Sequence, residues 1–373
     1  MSLQDRLEKL ELSSSEDEHG MDVIDEVLDE EDIAAKEAQK QRAAALDHIE
    51  KTYGLTTIPD NNIDLLPADN ELTSDIPLDT TYIDLVHLKI TSLEDLQLER
   101  FLKLESINLR DNLITSLHAL KRLPHKELLV ELDFYDNRIK HISSHISEFI
   151  NLENLDLSFN NIKHIKHVNT LTKLENLYFV QNRISKIENI ENLINLTNLE
   201  LGGNKIENIE NLDSLVNLQQ LWLGQNKISK LQNLSMLSNL RILSIQSNRI
   251  EKIEGLEGLH SLEELYLSHN RISKIEGLST LRNLRVLDIT SNSITKLENL
   301  EKLTELTDFW CSYNKLSDYS NVANALSNCK KLETVYFEGN PLQLNDPTGY
   351  RRKLRLCFGP QLEKIDALYL KQS

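Results

Sequence analysis

At 373 residues the chain is long enough for two or more ordinary domains, and its 40% hydrophobic content is enough for an extended core. The formal charge of −18 is uneven: positions 1–80 carry 22 acidic and 6 basic residues, and the remainder is nearly neutral at −2. Nucleic acid and anionic membrane both require clustered positive charge, so neither is expected as the main partner. No apolar run approaches the roughly 20 residues of a spanning helix.

The first 75 residues read as an acidic, mostly disordered tail. Asp22 to Asp32 is dense in carboxylates. Positions 33–53 are rich in Ala, Glu, Lys and Gln, good helix formers, and Gly54 is a fitting stop. Ser13, Ser14 and Ser15 each have an acid three residues on, the pattern of an acidic-directed phosphorylation site. The acidic N-terminus lacks an apolar h-region and so reads as having no signal peptide. Three scattered cysteines, Cys311, Cys329 and Cys357, suit a reducing compartment, with nucleus and cytoplasm as the expected location. In such a compartment the glycosylation-like Asn195-Leu-Thr and Asn233-Leu-Ser are chance matches.

From position 76 the chain is periodic. The pattern Leu-x-x-Leu-x-Leu-x-x-Asn-x-Ile recurs, with asparagines at 112, 137, 160 and then every 22 residues to 314, followed by one at 340. Ile83-Asp84-Leu85 with Leu88 and Ile90 reads as a worn first unit, giving twelve units over 76–342. In the unit starting at Leu174, Leu177 and Phe179 point inward and Tyr178 outward, the alternation of a strand. Asn182 sits at the turn, where its amide can bond exposed backbone and bridge to a neighbouring coil. Ile184, Ile187, Ile190, Leu193 and Leu196 then recur every three residues, which fits short 3-10 pieces broken by extended chain. The fold class is therefore α/β: a leucine-rich-repeat solenoid with a curved parallel sheet on the concave face and a 3-10 or irregular convex side. Twelve strands at about 4.8 Å span about 50 Å.

The longer steps mark local variations. Lys121 to His125 reads as a surface insertion, and Ser320 to Cys329 carries Val322, Ala325 and Leu326 at helical spacing. Solenoid ends need covers. The worn first unit would cover one end. A C-terminal cap over 343–373, with a helix from about Tyr350 to Leu356, would cover the other.

The strongest functional signal is the column between the inward residues of successive strands. It reads Asn108, Asp133, Asp156, Tyr178, Glu200, Trp222, Ser244, Tyr266, Asp288, Trp310 and Tyr336. Five of these eleven are aromatic, against about one half expected from the 5% aromatic content, and four are acidic and none basic. Rigid aromatic anchors bordered by carboxylates form a protein-docking surface. Small neighbours such as Ser158, Gly202, Gly224 and Ser312 leave the rings accessible, while Phe159, Tyr313 and Asp308 add contacts along the edge. The favoured partner is basic-rimmed with apolar pockets. No phosphate loop is present, no cofactor is expected, and His141/His145 and His164/His167 lack a third ligand, so no metal site and no enzyme are read.

Leu243-Ser-Ile-Gln-Ser-Asn-Arg-Ile, Leu265-Tyr-Leu-Ser-His-Asn, Asp308-Phe-Trp310, Glu333-Thr-Val-Tyr336-Phe, Asn340-Pro-Leu and Tyr350-Arg-Arg-Lys are more specific than the bare repeat. Through them residues 80–373 resemble the leucine-rich-repeat regulatory subunit of protein phosphatase 1, a family linked to mitosis. The resemblance implies that a phosphatase catalytic subunit lies on the concave face, with or without a further regulatory protein. By repeat position its contacts fall on Asp156, Tyr178, Glu200, Trp222, Asp288, Asp308, Trp310 and Tyr336; Tyr266 joins them from the column itself. The isolated chain is expected to be a monomer. The competing reading is a scaffold for a cytoskeletal, ciliary or spliceosomal partner.

Overall fold

The Leu-x-x-Leu-x-Leu segment leaves each coil a three-residue strand with its middle side chain buried. In the computed structural model, which describes residues 71–358 and 360–370, these strands join one sheet. Twelve strands, β1 (Tyr82–Asp84) to β12 (Thr334–Tyr336), follow one another in chain order, each parallel to the last. The register is constant: Leu177 faces Leu155 and Leu199, and Tyr178 faces Asp156 and Glu200. A short β13 (Lys364–Ile365) adds to β12 and turns back antiparallel to β14 (Leu368–Tyr369). The expected parallel solenoid of twelve units is the observed one.

Behind the sheet runs one continuous core. In the coil of β5 (Asn176–Tyr178), Leu174, Leu177, Phe179, Ile184, Ile187, Ile190 and Leu193 are all fully buried. Each contributes about 1.5–3 kcal/mol by leaving water. A single coil has no second layer to bury them against, so stability comes from stacking.

Asparagine fixes the coils to one another. Asn226 accepts from Ile206 N–H of the preceding coil at 2.9 Å and donates to Leu201 O of that coil at 2.9 Å. It also donates to Leu223 O of its own coil at 3.1 Å. Leu201 O meanwhile takes a second donor from Asn204 at 3.0 Å, so the bonds form one chain along the stack. The residue before each ladder Asn is left-handed, even where it is bulky: Phe159 at φ 55° and Tyr313 at φ 54°. Leu88 stands at the ladder place of the first coil, where no earlier repeat is present among the described residues. The worn unit is therefore the one with no described coil behind it. Asn112 bonds Leu88 N–H and Ile90 N–H from the second coil instead.

Two further asparagine columns escaped the sequence reading. Asn189, Asn211, Asn233 and Asn299 are left-handed, and each amide donates to an isoleucine carbonyl one coil back, at 2.6–2.7 Å. In the same column Gly277 has φ 71°, and a Cβ there would lie 2.4 Å from Ile253 O. Asn195, Asn217, Asn239 and Asn283 tie a third line of turns to the coil before, at 2.8–2.9 Å. The amides of the glycosylation-like Asn195 and Asn233 are thus both engaged in coil stacking.

The convex side is built, as expected, of short 3-10 pieces and irregular turns. Among the described residues 3-10 helices occur only early, at Leu98–Arg100, His118–Arg122, Lys126–Leu128 and Ser144–Glu148. The insertion at 121–125 takes in the end of the second and runs up to the start of the third. Farther along, period three persists as single turns, such as Leu174 N–H to Leu171 O at 3.0 Å. The left-handed asparagines interrupt them before a helix can propagate.

Both ends are covered. Thr73 is buried and its hydroxyl donates to Leu96 O at 2.9 Å, while Leu72 and Ile76 pack on the core. At the other end α1 (Tyr319–Ala325) fills the long step, as its spacing implied. Then come α2 (Pro341–Leu344) and α3 (Tyr350–Cys357), the latter at the expected cap helix. Leu354 of α3 is fully buried. Asp366 accepts from Phe337 N–H, Glu338 N–H and Tyr350 OH at 2.9, 3.1 and 3.1 Å, replacing the coil that would otherwise follow. The helix expected over 33–53 and Ser13, Ser14 and Ser15 lie outside the described residues.

Candidate protein-docking face

Because the register never slips, the third residue of every strand falls in one line. In most strands the burial pattern is buried in the middle and half-buried at both ends, so the first and third side chains face out from the core. Asp156, Tyr178, Glu200, Trp222, Tyr266, Asp288, Trp310 and Tyr336 occupy the third positions of β4 (Asn154–Asp156), β5, β6 (Asn198–Glu200), β7 (Gln220–Trp222), β9 (Glu264–Tyr266), β10 (Val286–Asp288), β11 (Asp308–Trp310) and β12; Asp308 opens β11.

The rings join into a chain. Trp222 stacks on Tyr266 with centroids 6.5 Å apart and planes at 18°, although their strands are two apart. Tyr266 lies 6.2 Å from Trp310, again across an intervening strand, and Trp310 meets Tyr336 edge-on at 5.9 Å. The rings lean together over the short residues between them, Ser244 and Asp288, which are only 2% and 7% exposed. Asp288 therefore lies beneath the aromatic surface, with one carboxylate oxygen accepting from Thr290 N–H at 2.9 Å. Tyr178 stands apart from this chain, between Asp156 and Glu200. The indole N–H groups of Trp222 and Trp310 are buried and have no hydrogen-bond partner among the described residues. Tyr266 OH donates to Glu264 at 2.7 Å; burial first, and that carboxylate second, push its pKa well up, so the phenol stays protonated.

The acids have structural as well as surface roles. Asp133 and Asp156 cap the strand ends by accepting from Tyr135 N–H and Ser158 N–H at 3.0 and 2.8 Å. Burial, the largest influence, raises the Asp156 pKa above the ordinary aspartate value. Asp308 accepts from the Thr307 hydroxyl at 2.8 Å, and Glu200 from the Asn198 amide at 3.3 Å.

Two cations on this face escaped the sequence reading. Arg110 is 2.8 Å from Asp133 and 3.6 Å from Asp156, and its guanidinium sits 4.0 Å over the Tyr135 ring. Tyr135 in turn is 4.8 Å from Phe159. The column itself contains no base, but Arg110, two residues beyond it, part-neutralises its first acids. The signal was available: that flanking line is small in most coils and holds Arg110 and Tyr135 in the second and third. Lys364 from the cap lies 5.4 Å over Tyr336.

A separate groove of about 910 Å³ runs along the leading ends of the central strands, lined by residues such as Glu175, Asn217, Gln219 and Arg241. It is polar, and Asn217 is already used for coil stacking. Among the described residues no group of His, Cys, Asp and Glu could hold a metal, and no helix is long and apolar enough to cross a membrane. His145 pairs instead with Glu148 at 2.6 Å and His164 with Glu188 at 3.2 Å.

A family model described as leucine-rich repeats in two copies matches in overlapping windows from 172–214 to 282–324. Protein phosphatase 1 regulatory subunit SDS22 of Saccharomyces cerevisiae is 55% identical over 122 residues, 33% of this chain and 36% of that protein. The protein of the same name from Schizosaccharomyces pombe is 53% identical over 55 residues, 15% of this chain and 16% of that one. The matched stretches thus span about a third or less of either relative. Among solved structures, internalin InlF of Listeria monocytogenes superposes with a TM-score of 0.61 at 24% identity, covering 81% of this chain and 89% of that one, a likeness of fold alone. The chain has the leucine-rich-repeat fold, and within that fold it resembles the regulatory subunits of protein phosphatase 1.

Proposed function

We propose that this chain is a non-catalytic regulatory subunit that holds the catalytic subunit of protein phosphatase 1 against its concave face. The observation that carries the reading is the ring chain Trp222–Tyr266–Trp310–Tyr336, flanked by Asp308, Glu200 and Asp156, in a chain whose two curated relatives bear the name of such a subunit. Aromatic side chains supply large contact area at low entropic cost, and the carboxylates orient a basic-rimmed partner and speed its encounter. In this reading the isolated chain is a monomer, works in nucleus and cytoplasm during mitosis and chromosome segregation, and accommodates a further regulatory protein on the phosphatase.

The test is calorimetric titration of purified phosphatase catalytic subunit into the full chain and into Trp222→Ala/Trp310→Ala. Each anchor is expected to contribute on the order of 2 kcal/mol, so the double variant should bind at least a hundredfold more weakly. Undiminished affinity in the double variant would remove the face from the reading. No binding by the folded wild-type chain would remove the partner.

A further inference from the structure

The residue after each ladder asparagine lies at the rim where the chain leaves the concave sheet for the convex side. In five successive coils it is basic: Arg183, Lys205, Lys227, Arg249 and Arg271. All but the half-buried Lys227 are exposed. The constant register stacks them one per coil, at about 4.8 Å between neighbouring backbones. Like charges directly opposite on neighbouring strands destabilise, so uninterrupted stacking of one sign has no folding benefit. Solvation alone would be served equally by alternating signs.

The next basic row, three residues on, behaves differently. Lys230 reaches Glu254 at 3.8 Å, and Lys274 reaches Glu298 at 4.0 Å, so acids of the following coil part-neutralise it. In the rim row, among the described residues, only Lys227 has an acidic partner, Glu207 of the preceding coil at 3.6 Å. Arg183, Lys205, Arg249 and Arg271 make no ion pair with any described residue. A nearly neutral body thus carries a line of five cations, four of them outside any ion pair among the described residues, on a different surface from the acidic and aromatic concave column.

We propose that this rim is a docking line for an α-helix bearing a stripe of carboxylates on a partner protein. Spacing selects the helix. Same-face residues at i, i+3/i+4 and i+7 recur about every 5.4 Å along a helix axis. Over the four intervals from Arg183 to Arg271 the accumulated mismatch is about 2.4 Å, within the reach of Arg and Lys side chains. Same-face side chains of an extended strand recur about every 6.7 Å, and the mismatch grows to about 7.6 Å. Arginine at three of five places suits bidentate pairing with carboxylates.

The experiment uses the full chain and a synthetic Ala-rich helical peptide with Glu at i, i+4, i+7 and i+11, followed by fluorescence anisotropy at low and physiological salt. A peptide of identical composition with Glu spread around the helix is the control. The striped peptide should bind at least tenfold more tightly than the control, and more weakly as salt rises. Arg183→Glu/Arg249→Glu/Arg271→Glu should abolish binding while keeping the wild-type melting curve. Lys173→Glu/Lys302→Glu/Lys330→Glu, the same charge change on other exposed positions, should bind as wild type. Equal binding of the two peptides, equal loss in both triple variants, or tighter binding of single-stranded RNA than of the striped peptide would overturn the proposal. None of these readouts involves the phosphatase, so the proposal and the reading of the concave face fail separately.

Discussion

Replacing Asn226 by alanine tests how the coils are held. The side chain makes four bonds: it accepts from Ile206 N–H and donates to Leu201, Leu223 and Gly224 carbonyls. The three carbonyls each keep another donor, from Asn204, Asn248 and Gly203 N–H respectively. Ile206 N–H keeps none among the described residues, and the residue is fully buried. One orphaned buried donor costs about 1–3 kcal/mol and the weakened carbonyl bonds a few tenths each, so the loss should be about 2–4 kcal/mol. Urea unfolding followed by far-ultraviolet circular dichroism and by tryptophan fluorescence measures it. Because nearest-neighbour coupling holds a solenoid together, the fluorescence transition of the Trp310→Phe background, reporting at Trp222 in the perturbed coil, should separate from the dichroism transition. A loss under about 1 kcal/mol with coincident transitions would refute the view that the ladder couples the coils. Asn226→Asp keeps the acceptor but points a carboxylate at three carbonyls. Its folded pKa is then raised, so its penalty should shrink as pH falls through that raised value.

Other expectations follow from single observations. Gly277→Ala places a methyl against Ile253 O at a left-handed φ and should cost about 2 kcal/mol, read as a lowered melting temperature. Burial raises the Asp156 pKa, so the folded state holds that proton more tightly than the unfolded one, and stability declines as pH rises through the raised value. Asp156→Asn should lose this decline in pH-dependent melting, and in Arg110→Gln the Asp156 carboxyl should titrate higher still, by nuclear magnetic resonance. Burial pushes the Cys329 thiol up to about 11, and pushes Cys311 up further. Alkylation of native protein should therefore label half-buried Cys357 first, and Cys311 and Cys329 only with unfolding, as mass spectrometry would show.

The fold was legible because one short pattern encodes strand, turn and stacking bond together. Once Leu177, Phe179 and Asn182 are assigned, every other coil follows by counting 22, and the constant register delivers the docking column without any side-chain geometry. The counting fails where contacts are not periodic. Thr73 seals the first coil through a bond to Leu96 O that no local motif announces. The hairpin of β13 and β14 rests on Asp366 imitating a missing coil. Arg110 could be picked out in its flanking line, but not its pairing with Asp133 and Asp156, which crosses one and two coils. On the convex side the balance between 3-10 helix and single turns was not legible, because period three is compatible with both. Only the left-handed asparagines, whose φ a composition does not display, separate the two. The lean of Trp222 toward Tyr266 was equally invisible, since spacing places Cα atoms and not rings.

That lean gives the array a hidden grain. Coil by coil the backbone repeats every 22 residues, but from Trp222 to Trp310 the surface repeats every 44, large ring and short side chain in turn. Gaining or losing one coil in that stretch would leave the core and the asparagine chain intact and put the rings out of step. Two large rings would then be neighbours, or two short residues would open a gap. Within this stretch the unit that can be copied without altering the surface is a pair of coils, so the fold can change length in single steps while its grip can change only in double ones.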